Sequence, residues 1–223
     1  TLANHRFDDC FILSLFLDGN LKRARSLPVD LAEDTYPIVQ GRLDRVRFVG
    51  DPVAAVAAVD EEAAAAALDQ IDVVYEDLTP IGSIEKAIAT PEPRIHDYGD
   101  TGNFHKLVSM EFGSTDAGFA RADRVYDDLF FYEGSTHLAI EQHASVADFG
   151  PDGKLALWSS TQTPHYVHRA LSKVLEMPPA RIRVLATPNG GGFGGKSDLF
   201  NHELVVAHLS RVTGRPVKIV YSR

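Results

Sequence analysis

Cysteine is nearly absent. Cys10 stands alone among 223 residues. One thiol closes no internal disulfide, and by itself it holds neither an iron–sulfur cluster nor a structural zinc. A disulfide scaffold is therefore excluded, and a reducing compartment is expected. Positive charge is also short. Lys and Arg number 22 against 31 Asp and Glu, a formal net charge of -9. That balance speaks against nucleic acid or an anionic membrane as partner, since both favour basic surfaces. Long apolar runs are missing too. A spanning helix needs roughly 20 apolar residues, whereas the run from Cys10 to Leu17 is short and Asp18 follows it. No secretory signal pattern is visible. The chain starts at Thr1 and stops just after an apolar segment, so both ends read as cuts in a longer polypeptide.

What is present is the composition of a globular α/β protein, long enough for one large domain or two small ones. Phe11–Leu17 reads as a strand or a helix turn. Arg45–Val49 alternates and suits a half-buried strand. Gly50-Asp51-Pro52 is a turn, and Val53–Val59 is a buried strand. Asp60 is placed to cap an Ala-rich helix from Glu61 to about Gln70, with acids in its first turn. A strand at 72–76 and a short helix at 83–89 complete a compact module. Pro91, Pro93, Gly99 and Gly102 mark a linker and a domain boundary. Beyond it the pattern predicts strands at 106–113 and 124–132 with a helix at 115–122 between them. A hairpin over 143–160 should turn at Pro151-Asp152-Gly153. A helix should open at Pro164, a strand is expected at 181–186, and a helix from Asp198 should end at Gly214 before a last strand at 217–221.

Chemistry concentrates in Asn189–Ser197, "NGGGFGGKS". Five glycines in six positions cost chain entropy. A tight strand-to-helix turn with close packing would explain one of them. Their density favours backbone that must meet an anion, helped by a helix N-terminus. Gly190, Gly195, Lys196 and Ser197 also satisfy G-x-x-x-x-G-K-S/T, the P-loop pattern, so a nucleotide-binding protein is a rival of another class. Against it, most of the chain precedes the loop, and the last strand does not end in a carboxylate for Mg²⁺. Gln162, in "SSTQTPHYVH", sits between strand and helix, where an amide can donate to an oxo group. His165 and His168 are spaced as a helical pair. With no further ligand nearby they read as half-buried histidines rather than a metal site.

These segments together resemble the molybdenum-binding subunits of the xanthine dehydrogenase and aldehyde oxidase family. Val46–Ala64 looks like the family's a/b hammerhead domain. "STQTPHYVHRALSKVLEMPPARIRV" and "GGGFGGK" look like the start of its molybdopterin-binding domain, with Gln162 and Phe193 31 positions apart. The resemblance covers 43–223 and implies an α/β (α+β) fold. Residues 1–97 would form a hammerhead-like domain, poorly matched over the first forty. Residues 103–223 would form the first portion of the cofactor domain. It implies that Gln162 hydrogen-bonds the metal's oxygen ligand. The amides around Gly191, Gly192, Phe193 and Gly194 would face the metal ligands and pterin, with no direct protein ligand to molybdenum. The family's catalytic glutamate would lie downstream of this chain, so no catalytic residue is assigned, and neither Glu141 nor Glu203 takes the role. The implied cofactor is molybdenum with molybdopterin cytosine dinucleotide. Iron–sulfur (2Fe-2S) and FAD subunits would be partners in a cytoplasmic dimer of heterotrimers acting on a small aromatic substrate. Ser197 stands where xanthine-hydroxylating members carry glutamate. "TQTPHYVH" with "GGFGGKSDLFNHE" is similar to 4-hydroxybenzoyl-CoA reductase large subunits. A hydroxylase of aldehydes or N-heterocycles is the alternative within the family, and an inactive scaffold subunit is a third reading.

Overall fold

The computed structural model describes residues 11–16, 22–26, 36–39, 45–96 and 101–222, the first three stretches by backbone alone. The hammerhead expectation for the first forty residues, and Cys10, fall largely outside them. The chain forms two compact units, residues 1–78 with 137–223, and residues 79–136.

The first unit is built on a seven-stranded sheet. Its strands are β1 (Phe11–Phe16), β3 (Tyr36–Val39), β4 (Pro52–Ala58), β6 (Ala144–Phe149), β7 (Leu155–Ser159), β8 (Ile182–Ala186) and β9 (Val217–Val220). They run in the order β3-β4-β1-β9-β6-β7-β8. The β1–β9 and β7–β8 pairs are parallel, and the others are antiparallel. β2 (Lys22–Ser26) and β5 (Val74–Asp77) form a separate antiparallel pair. Strands from before residue 60 and after residue 140 thus share one sheet.

β4 shows why its sequence is a run of small apolar residues. Val53–Ala58 is buried throughout. Ala55 and Ala57 face the main core, while Ala54 and Val56 face Ala67 of helix α1 (Glu61–Leu68) and Ile71 just beyond it. A strand covered on both sides has no polar face to alternate with. α1 starts as expected, with the Asp60 carboxylate accepting from Ala63 N at 2.7 Å.

The hairpin β6–β7 alternates as a half-covered sheet should. Leu155, Leu157 and Ser159 point inward, Ala156 and Trp158 less so. Helix α4 (Pro164–Val174) brings Val167 and Leu171, one turn apart, onto the same core. His168 Nε2 donates to Pro179 O and Ile182 O, both at 3.1 Å, and so ties α4 to the entrance of β8. Helix α5 (Asn201–Thr213) packs against β6, β7 and β9 and ends at Gly214, whose φ of 65° is the left-handed cap glycine favours.

Three expectations fail in instructive ways. Residues 45–49 are no strand beyond a single bridge at Val46. The Asp51 carboxylate accepts from Arg47 N, and Asp51 N donates to Phe48 O, which winds the segment into a turn. Asp198 does not cap α5. The helix begins three residues later, and the Glu203 carboxylate reaches back to accept from Phe200 N at 3.0 Å. The third concerns the second unit. It holds α2 (Ile84–Ala89) and α3 (Thr115–Arg121), each capped by the serine before it. Asn103 clamps its loop, accepting from Ile95 N and donating to Thr90 O, both at 2.7 Å. The strands expected at 106–113 and 124–132 form no ladder, and their side chains lie exposed. A β-compatible pattern becomes a strand only where another strand pairs with it.

Candidate functional site

β7 and β8 are adjacent and parallel, so the segments leaving their carboxyl ends emerge together. In open α/β sheets this is where ligands bind. Ser160–Thr163 follows β7, and Thr187–Phe200 follows β8. Thr187 N donates to Ser159 O at 3.1 Å, and Asn189 Nδ2 to Thr161 O at 3.0 Å. Gln162 N donates to Lys196 O at 2.8 Å, and Thr163 Oγ1 to Ser197 O at 2.9 Å. The two segments are laced side by side, and the structure brings together Gln162, Gly191, Gly192, Phe193 and Gly194.

Gln162 Oε1 accepts from both Gly194 N and Lys196 N, each at 3.2 Å. Two backbone donors fix which end of the amide is oxygen. The Nε2 end is left to donate outward. Among the described residues the N–H groups of Gly191, Gly192 and Phe193 are not spent on protein acceptors either. Gly191 (φ 106°), Phe193 (φ 52°) and Gly194 (φ 91°) all lie in the left-handed region. Successive amides in such turns form an anion-binding concavity. A left-handed phenylalanine is strained. Its ring is 75% exposed and lies over Gly191.

The glycines have a second use that sequence alone did not show. A side chain at Gly190 would strike Glu141 Cβ at 2.8 Å, and one at Gly195 would strike His137 Cγ at 2.9 Å. One at Gly192 would run into the Gln162 amide. At three positions the missing Cβ makes room for this chain's own side chains. The close-packing explanation therefore accounts for 190, 192 and 195, while 191 and 194 are glycines of conformation.

Lys196 is 1% exposed, and its Nζ pairs with Glu141 Oε2 at 2.5 Å. The same oxygen accepts from Gly190 N at 3.0 Å. Burial works against ionising Glu141. The Lys196 hydrogen bond, the Gly190 N–H and the charges of Lys196 and His143 outweigh it and hold the carboxyl below the usual range. His143 Nε2 donates to Gly195 O at 2.9 Å. Behind the loop His202 is buried with neither ring nitrogen partnered. Burial, then the nearby charges of His143 and Lys196, lower its pKa to about 3. Burial also raises Glu203, although it accepts from Ser159 Oγ at 2.7 Å and from Phe200 N. Tyr221 is pushed to about 12 by burial and the Glu203 charge.

This geometry overturns the P-loop reading. A P-loop lysine reaches for phosphate, whereas Lys196 is buried and engaged by a carboxylate. α5 starts at Asn201, so no helix N-terminus follows Lys196-Ser197 directly, and β8 lies at the sheet edge. Sequence reading named Glu141 only to deny it a catalytic role, and it missed His137 and His143. They lie some fifty residues before the loop, and no local pattern marks them.

A site that gathers the Gln162 amide N–H and the backbone N–H groups of 191–193 suits a ligand rich in oxygen or sulfur acceptors. Comparison with known proteins agrees. The model of the molybdopterin cofactor-binding domain family matches residues 95–223. The nicotinate dehydrogenase large molybdopterin subunit of Eubacterium barkeri is 39% identical over 180 residues, which is 81% of this chain and 41% of that protein. The large subunit of nicotine 6-hydroxylase from Paenarthrobacter nicotinovorans is 32% identical, over 81% of this chain and 22% of its own length. The crystal structure of quinoline 2-oxidoreductase from Pseudomonas putida superposes with a TM-score of 0.84 at 27% identity, over 96% of this chain and 31% of that one. This chain thus spans about two-fifths or less of these relatives.

Proposed function

We infer what this chain does from its kinship: it belongs to the molybdopterin cofactor-binding domain family. On that basis it is part of the large subunit of a molybdenum-dependent oxidoreductase, with residues 1–97 as the hammerhead-like part and 103–223 as the opening of the cofactor domain. The observation that carries the reading is the cluster of N–H donors at the loop. The Gln162 amide has its oxygen locked by Gly194 and Lys196, and the amides of Gly191, Gly192 and Phe193 lie beside it.

The residues fit the group. Gln162 Nε2 and the amides of 191–193 would hold its acceptor atoms. When bound, the cofactor supplies the two-electron redox chemistry. The loop contributes fixed N–H dipoles that need no rearrangement as charge develops. Glu141 cancels the charge of Lys196, so the face attracts through dipoles rather than a bare cation. No proton-transfer residue is assigned within this chain.

For the substrate, the motif similarity to 4-hydroxybenzoyl-CoA reductase supports reductive dehydroxylation of an aromatic thioester. A second reading, hydroxylation of an N-heterocycle, draws on the names of relatives such as nicotine 6-hydroxylase and the nicotinate and quinoline enzymes. Iron–sulfur and FAD subunits in a dimer of heterotrimers, the cytosine dinucleotide form and a cytoplasmic location complete the proposal. Among the described residues no helix is long and apolar enough to cross a membrane.

The test is metal and nucleotide analysis of the full-length protein purified with its partner subunits. Near-stoichiometric molybdenum, with a pterin and a cytidine nucleotide released on denaturation, is expected. Absent molybdenum, together with ATP or GTP binding lost in Lys196→Ala, would overturn the reading.

A further inference from the structure

We propose that the ion pair between buried Lys196 and half-buried Glu141 is a positioning device that sets the curvature of the glycine loop and thereby aims the Gln162 amide at the cofactor. The proposal rests on the functional reading above for its target, but the device itself is described wholly by this chain.

Lys196 joins three segments that are distant in sequence. Its N–H donates to Gln162 Oε1, and its carbonyl accepts from Gln162 N and Thr161 Oγ1. Its Nζ reaches Glu141, whose same oxygen accepts from Gly190 N at the other end of the loop. The side chain thus spans the base of the loop from residue 196 back to 190, with the Glu141 carboxylate as the pin. His143 steadies the next carbonyl, that of Gly195. Gln162 Oε1 can accept two amides only while Gly194 and Lys196 present them side by side, and that spacing is fixed by where the pin stands.

An ion pair with one buried member is poor evidence of added stability, because burying the Lys196 charge offsets much of its attraction to Glu141. What the pair adds is geometry. A lysine at 1% exposure with every polar group engaged has no alternative place to go. Stability and positioning can therefore be separated by experiment. Removing Glu141 strands the buried Lys196 charge, and removing Lys196 leaves the half-buried carboxylate unpaired, whereas removing both leaves a neutral base that folds but no longer pins the loop.

The measurement uses the full-length protein with its partner subunits, as wild type, Glu141→Gln, Lys196→Met, the double variant and Lys196→Arg. Thermal unfolding, molybdenum content, the Mo(V) resonance spectrum and hydrogen exchange of peptides covering 189–197 are read on each. The single variants should lose thermal stability, and the double variant should regain most of it. The double variant should still exchange its loop amides roughly tenfold faster than wild type, as expected for the loss of a charge-assisted hydrogen bond, and its molybdenum content or Mo(V) spectrum should be altered. Lys196→Arg should restore part of both. A double variant with wild-type exchange and spectrum would overturn the proposal and leave the pair a stability element. If wild type itself holds no molybdenum, the functional reading falls, and the exchange result alone decides whether the loop is pinned.

Discussion

A side chain that satisfies none of its polar atoms inside a protein is costly, and the His202 imidazole is such a side chain. It is 1% exposed and touches the rings of His143, Phe200 and Tyr221, and neither nitrogen finds a partner. Its folded pKa of about 3 lies below the ordinary 6.5. Between those values the unfolded chain binds the extra proton, so this contribution is complete above pH 6.5 and is lost as pH falls toward 3. The slope is about 1.4 kcal/mol per pH unit within the window. Glu203, raised by burial, works in the opposite direction, and Lys196 and Tyr221 stand nearby. A comparison with His202→Phe cancels those groups. Urea midpoints at pH 7 and pH 5 should fall further in wild type than in the variant, and equal losses would remove His202 from the account. None of this was legible in the sequence, where His202 is one polar residue in the first turn of a helix. Gln162 and Phe193 were legible, because each lies in a stretch whose residue types are unusual on their own.

At the scale of elements, legibility followed how much each segment depends on itself. β4, α1, the β6–β7 hairpin and α4 carry their own periodicity, turn residues and caps, and the structure has them close to where the pattern put them. The start of α5 was displaced because Glu203, three residues beyond Phe200, satisfies Phe200 N, and Asp198 caps nothing. The glycine loop was found, but its glycines were explained by one cause where two operate. Gly192 tests the difference. Its φ is not left-handed, so alanine is tolerated by the backbone, yet a Cβ there meets the Gln162 amide. Gly192→Ala should displace Gln162 and lower molybdenum retention in the assembled enzyme. The variant should unfold within about 1–3 kcal/mol of wild type, the usual cost of overpacking. Unchanged retention would mean that Gln162 is not held by this contact.

Over the whole molecule, consecutive sequence blocks did not coincide with compact units, because β1, β3 and β4 lie in the same sheet as β6 to β9. Pairing between distant strands leaves no local mark. The second unit exposes apolar groups on a scale that single surface residues do not reach. Leu129 is 99% exposed and Phe131 90%, with Leu107, Phe112, Phe130 and Tyr132 alongside. Patches of this kind drive association. The 223-residue chain on its own should run above its monomer mass of 24.4 kDa in light scattering. Leu129→Ser with Phe131→Ser should shift it toward the monomer. A monomer in both cases would show that these side chains find cover within the chain.

The three glycines whose places are taken by Glu141, Gln162 and His137 also bear on heredity. Volume at 190, 192 and 195 is lent to residues 49, 30 and 58 positions earlier in the chain. No change at those sites has a fixed effect of its own. A larger residue at 190 is tolerable only in a lineage in which 141 has given up its own Cβ, and such a 141 releases Lys196. The loop is therefore a passage that can be rewritten only together with text written elsewhere, and substitutions in the two places should be accepted in pairs or not at all.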